Sequence, residues 1–135
     1  MNYFDSINIC LRKFFVFKGR ASRSEFWYFA ITYFFLVIIL TFLLEEGSTE
    51  ESFTFAKLFP MLIFAIPFYA VGARRLHDVN KSGLWQLVPI IISFFTDIRG
   101  MELEFTIFGL IAEIVLLIFL ALPGYKEDNK YGKKI

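Results

Sequence analysis

The chain has 135 residues, a formal net charge of +1, 57% hydrophobic residues and 19 phenylalanines. Globular domains carry about 45–50% apolar and about 25% charged residues; here 20% are charged, and most of those lie outside four apolar stretches. This balance excludes a nucleic-acid binder working through a global field, and the single cysteine, Cys10, excludes an internal disulfide and a Cys/His metal spacing, so no cofactor is implied.

Residues 3–15 place Tyr3, Phe4, Ile7, Cys10, Leu11, Phe14 and Phe15 at spacings of three and four, the period of one helix face. The stretch is too polar to span a bilayer. It reads as an amphipathic helix lying in the membrane interface, with a soluble helix packed on the other helices as the alternative. Cys10 reads as a small packed hydrophobe. No cleavable signal is expected: the long apolar run begins only at Phe26, and no small-residue cleavage site follows it.

Ser22-Arg23-Ser24-Glu25 has the form of a capping box before an apolar run. Residues 26–44 carry no charge over 19 positions and reach about 28 Å as a helix, close to the hydrocarbon thickness. Trp27 and Tyr28 sit where an aromatic belt would. Four glutamates, Glu45, Glu46, Glu50 and Glu51, follow. Residues 58–73 form the second apolar stretch, with Pro60 in its opening turn and Pro67 inside, where a kink is expected. The third, 84–95, reaches only about 18 Å as a helix and holds Pro89, which should interrupt it; a re-entrant segment is the alternative to a span. The fourth, 105–122, carries one charge, Glu113, and ends at Pro123-Gly124.

The flanking charges alternate in sign. Five Lys and Arg precede the first stretch, three lie between the second and third, and four follow the fourth; Lys57 and Arg99 are the other two. By the positive-inside rule this predicts four spans with both termini cytoplasmic. The expected fold class is therefore an all-α membrane protein, a four-helix transmembrane bundle preceded by an interfacial helix, forming one domain over 1–135. Short turns favour an up-down antiparallel order.

Three sets of residues carry candidate chemistry. Arg74, Arg75, His77, Asp78 and Lys81 crowd one cytoplasmic turn, and helical spacing sets Asp78 four from Arg74 and three from Arg75. Guanidinium forks match phosphate geometry, so an anionic lipid headgroup is a reasonable ligand; a positive-inside anchor with local ion pairs is the plainer role. A lone histidine without a nucleophile is weak evidence for catalysis. Arg20, Arg23 and Glu25 fall at the same face, where Glu25 is expected to pair with Arg74 or Arg75 and fix helix register. Glu113 lies about 12–14 Å from either end of its stretch. A carboxyl group at that depth is a functional candidate by default, for a proton or ion path or for one interhelical hydrogen bond, and it is expected to face the bundle. The outer acidic residues, Asp97, Glu102 and Glu104 included, do not follow a calcium-loop spacing.

Lys-Gly-Arg-Ala-Ser-Arg-Ser-Glu-Phe-Trp at 18–27, Ala-Arg-Arg-Leu-His-Asp-Val-Asn-Lys-Ser-Gly at 73–83 and Asn-Lys-Tyr-Gly at 129–132 resemble the YhaH-like bacterial inner-membrane family, domain of unknown function 805. The resemblance covers nearly the whole chain. It implies a small multi-span protein of the bacterial inner (plasma) membrane. It brings no activity, substrate or cofactor, and no catalytic residue carries over. It also implies a shared role, structural or ligand-binding, for Arg20, Arg23, Glu25, Arg74, Arg75, His77 and Asp78. Membrane lipids, a second copy or a membrane protein are the expected partners, and the expected function is non-enzymatic, with a small transporter or channel subunit using Glu113 as the alternative.

Overall fold

Asn2 opens the fold. Its side chain accepts from the Asp5 backbone N–H at 2.9 Å, which satisfies one of the donors a helix N-terminus leaves unpaired. The computed structural model describes residues 2–43, 50–99 and 104–135, with the side chains at 50–58, 96–99 and 104–106 excepted. Among the described residues the regular structure is helical: α1 Tyr3–Arg12, α2 Arg23–Leu43, α3 Glu50–Asp78, a 3-10 turn Gly83–Gln86, α4 Leu87–Arg99 and α5 Glu104–Ala121. The only pairing of extended type among them is one bridge, Asn129 with Gly132. The expected all-α class holds. Two helical stretches, Arg23–Leu43 and Phe59–Asp78, are long and apolar enough to cross a membrane by length and composition; the apolar stretches Gly83–Phe95, a 3-10 turn running into α4, and Ile107–Ala121 are shorter. The acidic positions Glu45, Glu46 and Glu102 lie outside the described residues, as do the side chains of Glu50, Glu51, Lys57, Asp97, Arg99 and Glu104.

The chain divides into two compact units, Met1–Val16 with Ser24–Val71, and Phe17–Arg23 with Gly72–Ile135. In the former, α1 buries a narrow seam, Ser6 and Cys10, one turn apart. The Cys10 thiol donates to the Glu25 carbonyl at 3.8 Å, so Cys10 is the packed small side chain expected of it. Tyr3 bonds Thr32 through their hydroxyls at 2.7 Å. Phe4 on α1 and Phe15 after it stay 76% and 72% exposed. The helix ends at Arg12 rather than Phe15, because Val16 N–H bonds the Lys13 carbonyl and turns the chain; Phe14 and Phe15 extend the apolar period without extending the helix. In α2 and α3, Phe26, Tyr33 and Phe34 gather round Phe68, with Tyr33 stacked on it at 4.8 Å. α3 stays helical through Pro60 and Pro67.

In the latter unit, α3 ends in a Schellman motif. Lys81 N–H bonds the Leu76 carbonyl at 2.9 Å and Asn80 N–H bonds that of His77 at 3.0 Å, with Asn80 left-handed at φ +59. Ser82 then caps the 3-10 turn by accepting from Leu84 N–H at 3.3 Å. The apolar stretch 84–95 is thus not one helix: α4 starts only at Leu87. Pro89 does not interrupt it either. It is the third residue of α4, where its missing N–H has no intrahelical partner to lose. α4 packs on α5, and Trp85 meets Phe119 edge-on at 5.7 Å.

Glu113 departs from expectation. It is exposed on α5. Gly109 faces α4, where a Cβ on it would meet Ile92 at 3.7 Å, but four residues turn a helix through about 400°, which carries Glu113 about 40° round from Gly109 onto the open arc. Leu110, Ile114 and Leu117 share that arc and are also exposed.

Candidate functional site

The site is built where α3 ends, where the chain approaches α2 and where it leaves α5. Gly19 makes the approach possible: at φ +89 it adopts a backbone that residues with a Cβ rarely take. Arg20 follows, and Ala21 N–H bonds the Arg74 carbonyl at 3.0 Å. This seats Arg20 beside Asp78, the last residue of α3.

Asp78 is shared by two guanidinium groups. Arg20 Nε donates to Oδ1 at 2.8 Å, and Arg75 Nη1 donates to Oδ2. Each guanidinium spends its other nitrogens on backbone carbonyls. Arg20 Nη1 reaches the Glu127 carbonyl at 2.8 Å and Nη2 that of Tyr125 at 2.6 Å. Arg75 Nε reaches the Leu120 carbonyl at 2.9 Å, and Nη2 that of Leu122. The last carbonyls of an α-helix have no intrahelical donor and carry partial negative charge; Arg75 supplies both donor and charge at the end of α5. The exchange runs both ways. Tyr125 N–H bonds the Asp78 carbonyl at 2.8 Å, and the Asn129 side-chain amide donates to the His77 carbonyl at 2.8 Å. Arg20, Arg75 and Asp78 are all buried. A buried charge of this kind persists only when paired and hydrogen-bonded, and here every guanidinium nitrogen of Arg20 and Arg75 and both Asp78 oxygens have a partner.

His77 is held on two sides. Its Nδ1 lies 3.0 Å from the Gly19 carbonyl; a carbonyl only accepts, so Nδ1 carries the proton. Its ring stacks on Tyr131, with centroids 3.9 Å apart and planes 5° off parallel. Asn129 Oδ1 accepts Tyr131 N–H at 2.9 Å, which sets that ring in place.

The structure brings together Arg20, Arg75, His77 and Asp78. Arg74 is buried beside them and offers its carbonyl to Ala21. Arg23 is exposed and lines a shallow pocket of about 200 Å³ with Arg20 and Asp78. Lys81 turns elsewhere, its Nζ 5.1 Å from the Phe119 ring centroid. Glu25 belongs to the other unit, where it is buried at the start of α2. Sequence reasoning missed Lys126, Asn129, Tyr131 and Lys134, and missed that the carbonyls of Leu120, Leu122, Tyr125 and Glu127 are the main acceptors. A side-chain motif cannot display a backbone acceptor. The only signal available was Asn-Lys-Tyr-Gly at 129–132, which holds two of these residues.

Fold and site together define a helical protein with two stretches long and apolar enough to cross a membrane, whose buried arginines tie helix ends to the segment that follows α5. The chain belongs to the family described as Protein of unknown function (DUF805), which matches residues 14–133. It is 28% identical over 122 residues to Inner membrane protein YhaI of Escherichia coli K12, covering 90% of this chain and 87% of that one. It is 27% identical over 131 residues to Inner membrane protein YhaH of the same strain, covering 90% and 88%. A third relative, Uncharacterized protein YiiR, is 28% identical over 127 residues, covering 88% and 85%. No solved structure matches the chain. Its relatives place it among inner-membrane proteins.

Proposed function

We propose that this is a non-enzymatic protein of the bacterial inner membrane that crosses it four times, at 26–44, 58–73, 84–95 and 105–122, with both termini in the cytoplasm. Its polar cluster organises the cytoplasmic ends of the helices and presents a cationic surface to anionic lipid headgroups.

The observation that carries this reading is the Asp78 junction. The approach to α2, the end of α3 and the exit from α5 meet there within hydrogen-bond distance. Three segments that meet must lie on one side of a membrane, which fits spans one, two and four ending at the same face. The forks of Arg20 and Arg75 are spent on the chain's own acceptors, which supports an organising role for them. Catalysis is disfavoured by His77, the chain's one histidine: one ring nitrogen is committed to Gly19 and one face is covered by Tyr131.

Reporters of cytoplasmic and extracytoplasmic location, fused after Ile135 and inserted at Gly47, test the topology. The fusion after Ile135 should report cytoplasm and the Gly47 insertion the opposite side; the reverse result sinks the reading.

The exposure of Glu113 favours a second reading, a transporter or channel subunit that completes its path with a second copy. A carboxyl group facing hydrocarbon is costly unless something covers it. Under this reading Glu113→Gln abolishes flux in proteoliposomes and leaves the folded yield unchanged.

A further inference from the structure

Beside the arginine clamp lies a pocket that the clamp itself does not use. Arg20, Arg23, Lys126 and Lys134 line it, with Ser22 and Asp78. Two anionic groups adjoin it, the Asp78 side chain and the backbone carboxylate of Ile135; both Asp78 oxygens are already taken by Arg20 and Arg75. The neighbouring acids do not compensate. Glu127 and Asp128 are outside the lining, and the Asp128 carboxylate is turned to the Lys134 backbone N–H at 2.8 Å. That bond folds the tail back and delivers the Lys134 side chain to the pocket. Arg23, Lys126 and Lys134 are exposed, so with Arg20 four cations face two anions around a concavity of about 200 Å³, and the Asp78 anion is already paired.

Like charges gathered in a concave site repel one another unless an anion enters. The pocket is the size of a small polar group rather than of a lipid tail. Its donors are the exposed Arg23 guanidinium and two ammonium groups, a set that fits tetrahedral phosphate oxygens. We infer that this pocket binds a phosphate group, held by Arg23, Lys126 and Lys134 and backed by Arg20. The inference rests on the proposed cytoplasmic placement of the cluster and names its ligand. It keeps Arg20 and Arg23 of the positions that the sequence pattern singled out, leaves Arg74, Arg75 and Lys81 aside, and adds Lys126 and Lys134.

Native mass spectrometry of the full chain, released from nanodiscs of phosphatidylcholine with an equal share of phosphatidylglycerol, supplies one arm. Thermal protection of detergent-solubilised protein by sn-glycerol 3-phosphate supplies the other. The wild type should retain phosphatidylglycerol over phosphatidylcholine if the phosphate belongs to a lipid, or be protected by glycerol 3-phosphate if it is soluble. Lys126→Gln/Lys134→Gln should weaken whichever response is seen by at least about tenfold, since each basic residue near the site contributes about fivefold in affinity. Lys13→Gln/Lys18→Gln, outside the pocket, should leave it intact. Neither response in the wild type, or equal responses in both double variants, overturns the inference. The organising role of the clamp is separately read from the unfolding of Arg75→Gln, so the two can fail independently.

Discussion

His77 and Tyr131 lie face to face, 3.9 Å between ring centroids, although 54 positions separate them in the chain. The stack is the outer fastening of a tail whose inner fastening is the Arg20–Asp78–Arg75 clamp. It joins a residue from a helix end to one from a short polar motif near the C-terminus, and it explains why an aromatic belongs in that motif.

Tyr131→Ala should loosen the tail while leaving the helices folded. An aromatic pair contributes about 0.5–1.5 kcal/mol beyond the area it buries. Limited proteolysis should cut the variant after Lys130 or Lys126 well before the wild type, and Tyr131→Phe should restore resistance, because the phenol oxygen takes no part in the stack.

Arg75→Gln should cost far more. It leaves the Leu120 and Leu122 carbonyls without their donor and leaves Asp78 buried with one guanidinium fewer. Breaking a buried pair of this kind costs about 3–5 kcal/mol. Arg75→Lys should rescue little, since an ammonium cannot reproduce three bonds in a fixed fork. Unfolding in mixed micelles at rising SDS fraction measures both.

Two glycines should respond in opposite ways to alanine. A Cβ at Gly124 would come within 2.8 Å of the Asp78 Cγ, and that carboxylate is pinned by two arginines. Gly124→Ala should therefore destabilise by about 1–3 kcal/mol, the usual cost of overpacking. At Gly109 the nearest atom is Ile92 Cγ2 at 3.7 Å, an ordinary contact, so Gly109→Ala should gain up to about 1 kcal/mol in helix propensity. Parallel thermal melts in detergent separate the two.

Asn80 closes the Schellman motif at positive φ. Asn80→Gly should be neutral or stabilising, whereas Asn80→Val should lose about 1–2 kcal/mol, because a β-branched side chain clashes in the left-handed region. If valine is tolerated as well as glycine in the same melts, the turn does not have the geometry described.

Much of the helix order is legible without coordinates, because burying a backbone in hydrocarbon demands long apolar helical runs, and those are visible as composition. The start of α2 just after Ser22 and the stop before Pro123 follow from local chemistry that a short window displays, whereas the sequence pattern ended the second stretch at 73 and α3 runs on to Asp78. The stretch 84–95 was less legible: Leu84 to Gln86 are as apolar in pattern as the helix after them, and only the Ser82 cap and the tightness of the turn divide the two. Glu113 was misplaced for a geometric reason, since a small rotation along α5 decides which arc a side chain occupies.

What the sequence by itself determined is the helical class of the protein and part of the polar cluster, Arg20, Arg75, His77 and Asp78. Apolar length, alternating charge and the Arg-Arg-Leu-His-Asp run are local properties, and each carries its physical consequence within a few turns of helix. Only the tertiary structure decided what those residues do. It turned Arg20 and Arg75 from candidate ligand forks into donors for the chain's own carbonyls, and it gave Asp78 two arginines rather than one. It also brought Lys126, Asn129, Tyr131 and Lys134 to the cluster. Contacts across 50 to 100 positions depend on where backbone acceptors come to rest, and a carbonyl oxygen is the same in every residue until the fold places it.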